Sequence, residues 1–369
     1  MKVDLLDLKE QYSHIEKDID LAIKEVLRKA QFIMGENVTK LEKDLAEYTG
    51  VRHAIAVANG TDALMLIMRY LNLKDGDEVI TSPYTFFASA EVASLFGATP
   101  VFVDIDKKTL CLDPEKLEEK ITKKTKTIIP IHIFGQMCDM DKIIAIADKY
   151  SIPVVEDACQ AIGAEYKGKK AGSIGLAGAY SFFPTKNLGC FGDGGMITTD
   201  DDQLADELRM LRVHGSKTKY IHEKIGYNSR LDELQAAILN VKFGHLDEWN
   251  KKRNENAKYY SDKLTGLDIE LPYEAIEGKH VFHQYCIQVD KNKRDKLREY
   301  LAGKGISTTI YYPVPVHLLP VYEKLGGNNG DCPVAESVCE RTIALPIYPE
   351  LTREKMDYVV NTIREFFEL

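Results

Sequence analysis

One lysine stands out because of the residues that follow it. Lys186 lies in the segment Ser-Phe-Phe-Pro-Thr-Lys-Asn-Leu-Gly-Cys-Phe-Gly-Asp-Gly-Gly-Met, residues 181–196, which leaves one predicted apolar strand and enters another. Glycines after a strand-end lysine let a small ligand approach the backbone, and such a lysine can act as a nucleophile. Taken alone, the pattern is more typical of a solvated lysine in a loop. The glycines are Gly189, Gly192, Gly194 and Gly195.

A carboxylate ends an earlier predicted strand. The apolar pair Val154-Val155 is followed by Glu156 and Asp157. Ligands of α/β sheets bind at the carboxyl ends of the strands, so Asp157 and Lys186 are expected to share a cleft. Such a pair is what pyridoxal 5′-phosphate (PLP) requires, because the lysine holds the aldehyde as a Schiff base and the acid pairs with the pyridinium nitrogen. An aspartate that caps the turn after a strand is the alternative.

Four further segments accompany the lysine segment. They are Asn-Gly-Thr-Asp-Ala-Leu (59–64), Tyr-Thr-Phe-Phe-Ala-Ser (84–89), Glu-Asp-Ala-Cys-Gln (156–160) and Gly-Tyr-Asn-Ser-Arg-Leu-Asp-Glu (226–233). In this order they make the chain resemble the DegT/DnrJ/StrS family of PLP-dependent nucleotide-sugar aminotransferases. The resemblance implies transfer of an amino group from L-glutamate to a keto carbon of a nucleotide-linked sugar, at C3 or alternatively at C4. The product would serve amino-sugar biosynthesis for surface polysaccharide or glycosylated compounds.

The resemblance leaves two other functions to weigh. Sugar dehydratases of the same family carry a histidine where this chain has Lys186, which argues against that chemistry. A non-catalytic regulatory relative is expected to have a degenerate site, whereas the motif residues of this chain are intact.

The resemblance also assigns residues to the cofactor phosphate. Gly60 and Thr61 open a predicted helix, whose first N–H groups form an anion site, and Ser181 aligns with a further phosphate ligand. Asn228 aligns with an asparagine that, in relatives, reaches the phosphate from the neighbouring subunit. That alignment implies a homodimer with composite active sites. An N-cap threonine without a ligand is the alternative for Thr61.

Two more residues are assigned to the cofactor ring. Gln160 matches a glutamine that contacts the ring hydroxyl oxygen, and Phe86 falls where relatives place an aromatic side chain against the ring. A surface glutamine and a core phenylalanine are the alternatives. Lys186 is the predicted catalytic residue, which also shuttles a proton between the substrate carbon and the cofactor.

Substrate-binding residues are assigned by position. Arg230 would pair with a sugar carboxylate or phosphate oxygen, or with an acidic neighbour on its own helix. Tyr311 and Tyr312 fall where relatives line the nucleotide-sugar end of the cleft. Some 3-aminotransferases for UDP-linked 3-keto hexuronic acids have a histidine where this chain has Tyr311, so 3-keto-6-deoxy sugars stay open. His132 is either a site residue shared with relatives or a core histidine.

Bulk composition argues against several classes of partner. The formal net charge of −9 and the lack of a long Lys/Arg run argue against nucleic-acid binding. No apolar run approaches the ~20 residues that cross a membrane, and the N-terminus lacks the apolar core of a signal peptide. Seven scattered cysteines without a Cys-x-x-Cys pair predict a cytoplasmic protein with neither disulfides nor a metal site.

Apolar runs that alternate with helical patterns indicate how these residues are positioned. They predict an α/β fold with a mostly parallel seven-stranded sheet between helices, as in fold type I PLP transferases. A large PLP-binding domain with an N-terminal helix is expected over residues 1–250, and a smaller C-terminal α/β domain over 251–369. One long helix is expected over 231–249 and a polar loop over 214–226. The predicted strands are 54–58, 78–81, 101–103, 127–133, 153–155, 179–183 and 196–199.

Overall fold

The computed structural model describes residues 1–325 and 327–368 of the chain. The helices in these ranges are α1 Leu8–Lys29, α2 Glu36–Thr49, α3 Gly60–Tyr70, α4 Ala88–Ser94, α5 Met140–Lys149, α6 Asp202–Leu211, α7 Glu233–Phe243, α8 Leu246–Leu264, α9 Lys291–Gly303, α10 Pro333–Arg341 and α11 Arg353–Glu368. Most carry one apolar face, which they bury against the strands.

The strands are short and extended. They are β1 His53–Val57, β2 Glu78–Thr81, β3 Thr99–Phe102, β4 Thr125–Ile129, β5 Val155–Asp157, β6 Glu165–Tyr166, β7 Lys169–Lys170, β8 Ala177–Ser181, β9 Gly195–Thr199, β10 Ser216–Thr218, β11 Ile221–His222, β12 Gly278–Lys279, β13 Tyr285–Gln288 and β14 Thr342–Leu345.

Seven of the strands in the described ranges form the central sheet, in the order β1-β9-β8-β5-β4-β2-β3. β9 is antiparallel to both of its neighbours, whereas the other pairs are parallel. Parallel bridges Ile128–Val154 and Ile131–Asp157 connect β4 to β5. The predicted mostly parallel, seven-stranded sheet is therefore confirmed.

Successive residues of one strand enter different cores. In β1, Ala54 and Ala56 pack with α2, α5 and α7, whereas Ile55 and Val57 pack with α3, α4 and α6. Because side chains alternate between the faces of a strand, helices cover both faces of the sheet. Polar side chains next to the sheet therefore reach solvent beyond the ends of the strands. The predicted site residues lie at these ends.

The C-terminal region has a core of its own. β13 and β14 pair antiparallel, and α8, α9 and α11 pack against them through Tyr260, Leu297 and Val360. Helix α8 runs without interruption through residue 250, so the predicted domain boundary falls within a helix. The division of the chain at that residue stays a prediction.

Two segments differ from the sequence prediction. The helix expected over 231–249 is broken, since α7 ends at Phe243 and α8 begins at Leu246. Gly244 lies at the break, and glycine is a poor helix former because its backbone loses the most freedom on ordering. The polar loop expected over 214–226 contains the hairpin β10–β11.

Three further features concern the cysteines, the length of the helices and the metal-ligating side chains. All seven cysteines are free thiols. Across residues 1–325 and 327–368, the helices lack the length and apolar character needed to cross a bilayer. The same ranges contain no group of three His, Cys, Asp or Glu side chains arranged to hold a metal ion.

Candidate active site

A cleft of about 430 Å³ opens where β5 and β8 end, with residues of the C-terminal region along one wall. Because parallel strands end at the same edge of a sheet, segments distant in sequence converge here. The predicted residues in its lining are Gly60, Thr61, Phe86, Asp157, Gln160, Ser181, Lys186, Tyr311 and Tyr312.

Two predicted residues lie outside this lining. Asn228 and Arg230 border a separate surface depression together with Gly192 and Asp193. Asp193 also lines the cleft, so the depression adjoins it. Asn228 is thus beside the site but is not a wall of the cleft in its own chain.

Lys186 lies just beyond β8, where a tight turn closes as its N–H donates to the carbonyl of Phe183 (2.8 Å). Burial lowers the pKa of the Lys186 amine below its ordinary value, and the neighbouring Cys159 and Asp157 only partly oppose this shift. A larger fraction of the amine is therefore uncharged near neutral pH, which makes it a better nucleophile.

Asp157 is held by two donors. The hydroxyl of Ser89 donates to Oδ2 (2.7 Å), and the N–H of Cys159 donates to Oδ1 (3.1 Å). Ser89 lies on α4 and is itself 3.1 Å from the hydroxyl of Thr85. Sequence reasoning did not assign Ser89 to the site, although it belongs to the segment 84–89. A serine carries no charge that would mark it as a site residue.

The start of α3 forms a narrow recess beside Ser181. The side chain of Asn59 caps the helix by accepting from the N–H of Asp62 (2.8 Å). A Cβ at Gly60 would lie 2.8 Å from the Cβ of Ser181 and 2.9 Å from Sγ of Cys159. The close approach of these neighbours therefore requires glycine at position 60. Because glycine has no Cβ, room is left for an anion at the helix N-terminus.

Gln160 is fixed at both ends of its amide. Its Oε1 accepts from the N–H of Phe134 (2.8 Å), and its Nε2 donates to the hydroxyl of Tyr312 (3.0 Å). The Tyr312 ring packs edge-on against Tyr84 at 5.9 Å. Burial raises the pKa of the Tyr312 phenol, so the hydroxyl stays neutral. Gln160 and Tyr312 therefore form one rigid polar wall.

Phe86 lies at the rim of the cleft rather than in the core. Its side chain is 61% exposed, and Phe183, which also lines the cleft, is 50% exposed. The core alternative considered for Phe86 is therefore wrong for the isolated chain. Large exposed aromatic rings beside a cleft are candidates for contact with a ligand or a second protein chain.

His132 belongs to the core beneath the site. It is fully buried and 2.8 Å from Oε2 of Glu156. Its Nδ1 accepts from the N–H of Cys138 (3.2 Å), so Nε2 carries the hydrogen donated to Glu156. Three backbone N–H groups complete the solvation of this carboxylate, from Gly172, Ile174 and Gly175. The core interpretation of His132 is the one the structure supports.

Two residues of the cleft wall carried no signal in the sequence. His283 and Gln284 precede β13 and face the same cavity as Lys186. The imidazole Nδ1 of His283 lies 3.2 Å from Oδ1 of Asn187, the residue after the lysine. Nothing in their sequence spacing relates 283 to 186, because the contact arises from packing of the C-terminal region on the sheet.

The residues present fit PLP. The cleft presents a desolvated amine at Lys186, a hydrogen-bonded carboxylate at Asp157 and a helix start at Gly60 that a Cβ would obstruct. These groups match the aldehyde, the pyridine nitrogen and the phosphate of the cofactor.

Comparison with known proteins relates the whole chain to sugar transaminases. The sequence model of the DegT/DnrJ/EryC1/StrS aminotransferase family matches residues 13–364. A pleiotropic regulatory protein of Geobacillus stearothermophilus is 49% identical over 100% of this chain and 99% of its own length. The UDP-N-acetyl-3-dehydro-alpha-D-glucosamine 3-aminotransferase of Acidithiobacillus ferrooxidans is 43% identical, with 98% and 97% covered. The dTDP-3-amino-3,4,6-trideoxy-alpha-D-glucose transaminase of Streptomyces venezuelae is 42% identical, with 100% and 97% covered.

Solved structures are similar to this chain over its whole length. The crystal structure of S. venezuelae DesV in complex with a ketimine intermediate superimposes with a TM-score of 0.97 at 42% identity, covering 100% of this chain and 99% of the other. The structure of NtdA from Bacillus subtilis with bound cofactor PMP, the pyridoxamine form of PLP, gives a TM-score of 0.93 at 34% identity, with 100% and 86% covered.

Proposed function

The chain belongs to the DegT/DnrJ/EryC1/StrS aminotransferase family, and we propose that it transfers an amino group from L-glutamate to C3 of a nucleotide-linked 3-keto sugar. The observation that carries this proposal is that one cleft is lined by Lys186, by Asp157, by the start of α3 and by the tyrosines at 311 and 312. Residues that would hold the cofactor therefore line the same cavity as the tyrosines assigned to the nucleotide sugar.

In this proposal, Asp157, Gln160 and Lys186 each have a separate role toward the cofactor. Bound PLP supplies an electron sink and carries the amino group between donor and acceptor. Asp157, oriented by Ser89, would keep the ring nitrogen protonated, and Gln160, which lines the same cleft, would contact the ring hydroxyl. Lys186 holds the cofactor between turnovers and moves a proton at the reacting carbon of the substrate, for which a partly neutral amine is needed.

The phosphate and the ring faces are held by the remaining residues. The N-terminus of α3, at Gly60 and Thr61, binds the phosphate together with Ser181. Phe86, exposed at the rim of the cleft, would cover one face of the ring.

The position of amination rests on what the named relatives share. The A. ferrooxidans enzyme is named for a UDP-linked 3-dehydro sugar and the S. venezuelae enzyme for a dTDP-linked 3-amino sugar. Their nucleotides and sugars differ, but both names specify C3. We therefore favour C3 over C4, and rank a UDP-linked 3-keto hexuronic acid slightly above a dTDP-linked 3-keto-6-deoxyhexose.

A homodimer with composite sites is part of the proposal. Asn228 and Arg230 are directed to a depression beside the cleft, not into it. Exposed aromatic side chains, Phe183 (50%) and Phe191 (44%), lie on the same glycine-rich segment and would be covered by a second chain. Asn228 of one subunit would then reach the phosphate in the other, and Arg230 would reach the sugar or the diphosphate.

The regulatory and dehydratase alternatives are weaker. The G. stearothermophilus relative is named as a regulatory protein. A purely regulatory chain, however, has no need of a desolvated lysine in the same cleft as the hydrogen-bonded carboxylate of Asp157. The dehydratase alternative requires a histidine at position 186. The free thiols of all seven cysteines support a reducing compartment, and we place the reaction in the cytoplasm.

A two-step titration tests the proposal. L-Glutamate added to the PLP-loaded protein should shift its absorbance to that of the pyridoxamine form, and a 3-keto nucleotide sugar should shift it back. The panel should contain the UDP-linked uronic acid, the dTDP-linked 6-deoxyhexose and a 4-keto sugar of each nucleotide. A return with 4-keto sugars alone would move the acceptor carbon to C4. No response to glutamate or to any sugar would contradict the proposed function.

A further inference from the structure

Helix α7 buries a lysine that the proposed function does not use. Lys242 is 1% exposed and does not line the cleft that contains Lys186. Burial lowers the pKa of its amine to about 8, and Cys190 and Glu350 oppose only part of this shift. The amine is therefore mainly charged at neutral pH. A buried charge is costly unless a carboxylate pairs with it, and an apolar side chain of similar size usually folds at least as well.

The Lys242 amine lies against the segment that follows Lys186. Its Nζ donates to the backbone carbonyl of Gly189 (2.6 Å) and lies 5.0 Å from the centroid of the Phe191 ring. Gly189 is buried, and within residues 1–325 and 327–368 no other group donates to its carbonyl. In the same part of the chain, Lys242 forms no ion pair with a carboxylate. The charge of this lysine is therefore directed at the backbone of one short segment.

Gly189 passes this contact on to the turn that carries Lys186. A Cβ at position 189 would lie 2.7 Å from the carbonyl oxygen of Phe183 and closer still to that of Pro184. The Phe183 oxygen accepts from the N–H of Lys186 (2.8 Å). The Gly189 backbone thus packs directly on the carbonyls at the start of the turn, an approach that only glycine allows. A displacement of Gly189 would therefore displace the backbone of Lys186.

Two further hydrogen bonds hold the same segment. Oε1 of Gln235 accepts from the N–H of Phe191 (2.8 Å), and the N–H of Cys190 donates to the carbonyl of Phe182 (2.8 Å). Gln235 and Lys242 lie about two helical turns apart on one face of α7. Helix α7 therefore lies along residues 189–191 and holds this segment at both ends.

We propose that Lys242 is a positioning residue, which fixes Gly189 through its amine and so places the Lys186 amine for bonding to the cofactor. The inference rests on the role given to Lys186 in the proposed function. A charged donor suits this task, because charge-assisted hydrogen bonds are shorter and stronger than neutral ones. Accurate placement matters, since a reacting group displaced by about 1 Å can lose about 100-fold in rate.

The two forms of the cofactor separate this role from a purely structural one. The Lys186 amine condenses with the aldehyde of PLP and releases water, whereas PMP carries an amine in place of the aldehyde and cannot bond to the lysine. Both forms otherwise present the same ring and phosphate to the cleft. Displacement of Lys186 should therefore weaken the binding of PLP but not of PMP, whereas a general loss of structure should weaken both.

Two substitutions of Lys242 test the hydrogen bond to Gly189. Lys242→Met removes the amine but keeps an unbranched side chain, and it should weaken PLP binding about tenfold while PMP affinity stays within about twofold of wild type. Lys242→Arg keeps a charged donor and should bind PLP as the wild type does. Both affinities are measured by calorimetric titration of the full-length, cofactor-free chain, a readout independent of catalysis.

Asn240→Leu is the matched control. Asn240 lies on the same helix, and its Nδ2 donates to the backbone carbonyl of Asn37 (3.0 Å) on α2. The substitution removes a comparable side-chain donor to a carbonyl, but away from the segment that follows Lys186. It should leave the ratio of PLP to PMP affinity unchanged. A ratio altered as much as in Lys242→Met would show that any loosening of α7 has this effect, and would overturn the proposal.

The proposal is also overturned if Lys242→Met weakens PLP and PMP equally, if it weakens neither, or if Lys242→Arg behaves like Lys242→Met. Borohydride reduction of the PLP-loaded wild type, followed by peptide mapping, distinguishes these results from a failure of the proposed function. Label on a lysine other than 186 contradicts the proposed function. Label on Lys186 without a difference between PLP and PMP contradicts only the role of Lys242. Neither result depends on which sugar is the acceptor.

A third variant keeps the test available if Lys242→Met fails to fold. Lys242→Gln retains a polar end group, but its amide nitrogen is one atom nearer the backbone than the lysine amine and falls short of the Gly189 carbonyl. It should give the same difference between PLP and PMP as Lys242→Met. Wild-type affinity for PLP in a folded Lys242→Gln protein would overturn the proposal.

Discussion

One of the two donors that orient the Asp157 carboxylate is the hydroxyl of Ser89. The Ser89 bond is 2.7 Å long and buried, and its acceptor is a carboxylate oxygen. Hydrogen bonds to charged groups contribute about 1.5–3 kcal/mol. Without this donor the carboxylate can rotate away from the position that the ring nitrogen requires, although the backbone N–H of Cys159 still holds the other oxygen.

Ser89→Ala should therefore weaken PLP binding by roughly 10- to 100-fold, the equivalent of that lost bond. Cofactor affinity is measured by absorbance during titration of the cofactor-free chain. Ser94→Ala is the matched control, because Ser94 lies on the same helix and bonds to Tyr322 away from the cleft. Equal affinities for the Ser89→Ala protein and wild type would mean that Ser89 does not orient the acid.

Arg230 tests which sugar is bound. It lies in the depression beside the cleft, and a bidentate guanidinium–carboxylate pair discriminates a uronic acid from a 6-deoxy sugar. If Arg230 makes that pair, Arg230→Ala should reduce kcat/KM about 10- to 100-fold more for the uronic acid than for the 6-deoxy analogue. Equal losses on both would assign Arg230 to the diphosphate or to structure.

At the scale of elements, the sequence was informative where burial imposes a pattern. The seven strands were predicted because both faces of the sheet are covered, which makes each strand a short apolar run. The break between α7 and α8 was missed because Leu246 and Trp249 continue the apolar spacing beyond Gly244. Ser89 and His283 were missed because their positions in the cleft wall depend on which elements pack together.

The start of α3 is the element on which phosphate binding is expected to depend. Alanine has a higher intrinsic helix propensity than glycine by about 1 kcal/mol, so propensity alone predicts that Gly60→Ala stabilises the protein. The close approach to Ser181 (2.8 Å) predicts instead that the helix start is displaced and that the phosphate recess narrows.

Gly60→Ala should weaken PLP binding at least about tenfold, because misplaced N–H groups no longer point at the phosphate. Gly244→Ala is the control, since a Cβ there would meet its nearest neighbour at an ordinary 3.4 Å. Pyridoxal, which lacks the phosphate, should bind both proteins equally. A Gly60→Ala protein with unchanged PLP affinity would show that the recess does not hold the phosphate.

At the scale of the whole molecule, the cleft of one chain is not lined by every residue assigned to the site. Asn228 borders a depression outside the cleft of its own chain. If two chains associate about a two-fold axis, each cleft receives Asn228 from the partner. Lys186 and Asp157, in contrast, line the same cleft of the same chain. Substitutions at these positions should then combine differently in mixed dimers.

Inactive Lys186→Ala and Asn228→Ala proteins, mixed in equal amounts and allowed to exchange subunits, should regain activity. Random exchange makes about half of the dimers mixed, and each mixed dimer has one cleft with both residues intact, so about a quarter of wild-type activity should return. Lys186→Ala mixed with Asp157→Ala should regain none, because both residues come from one chain. Recovery is measured as pyridoxamine formation from L-glutamate, with exchange verified by mass spectrometry. Verified exchange without recovery in the first mixture would place Asn228 outside the partner's site.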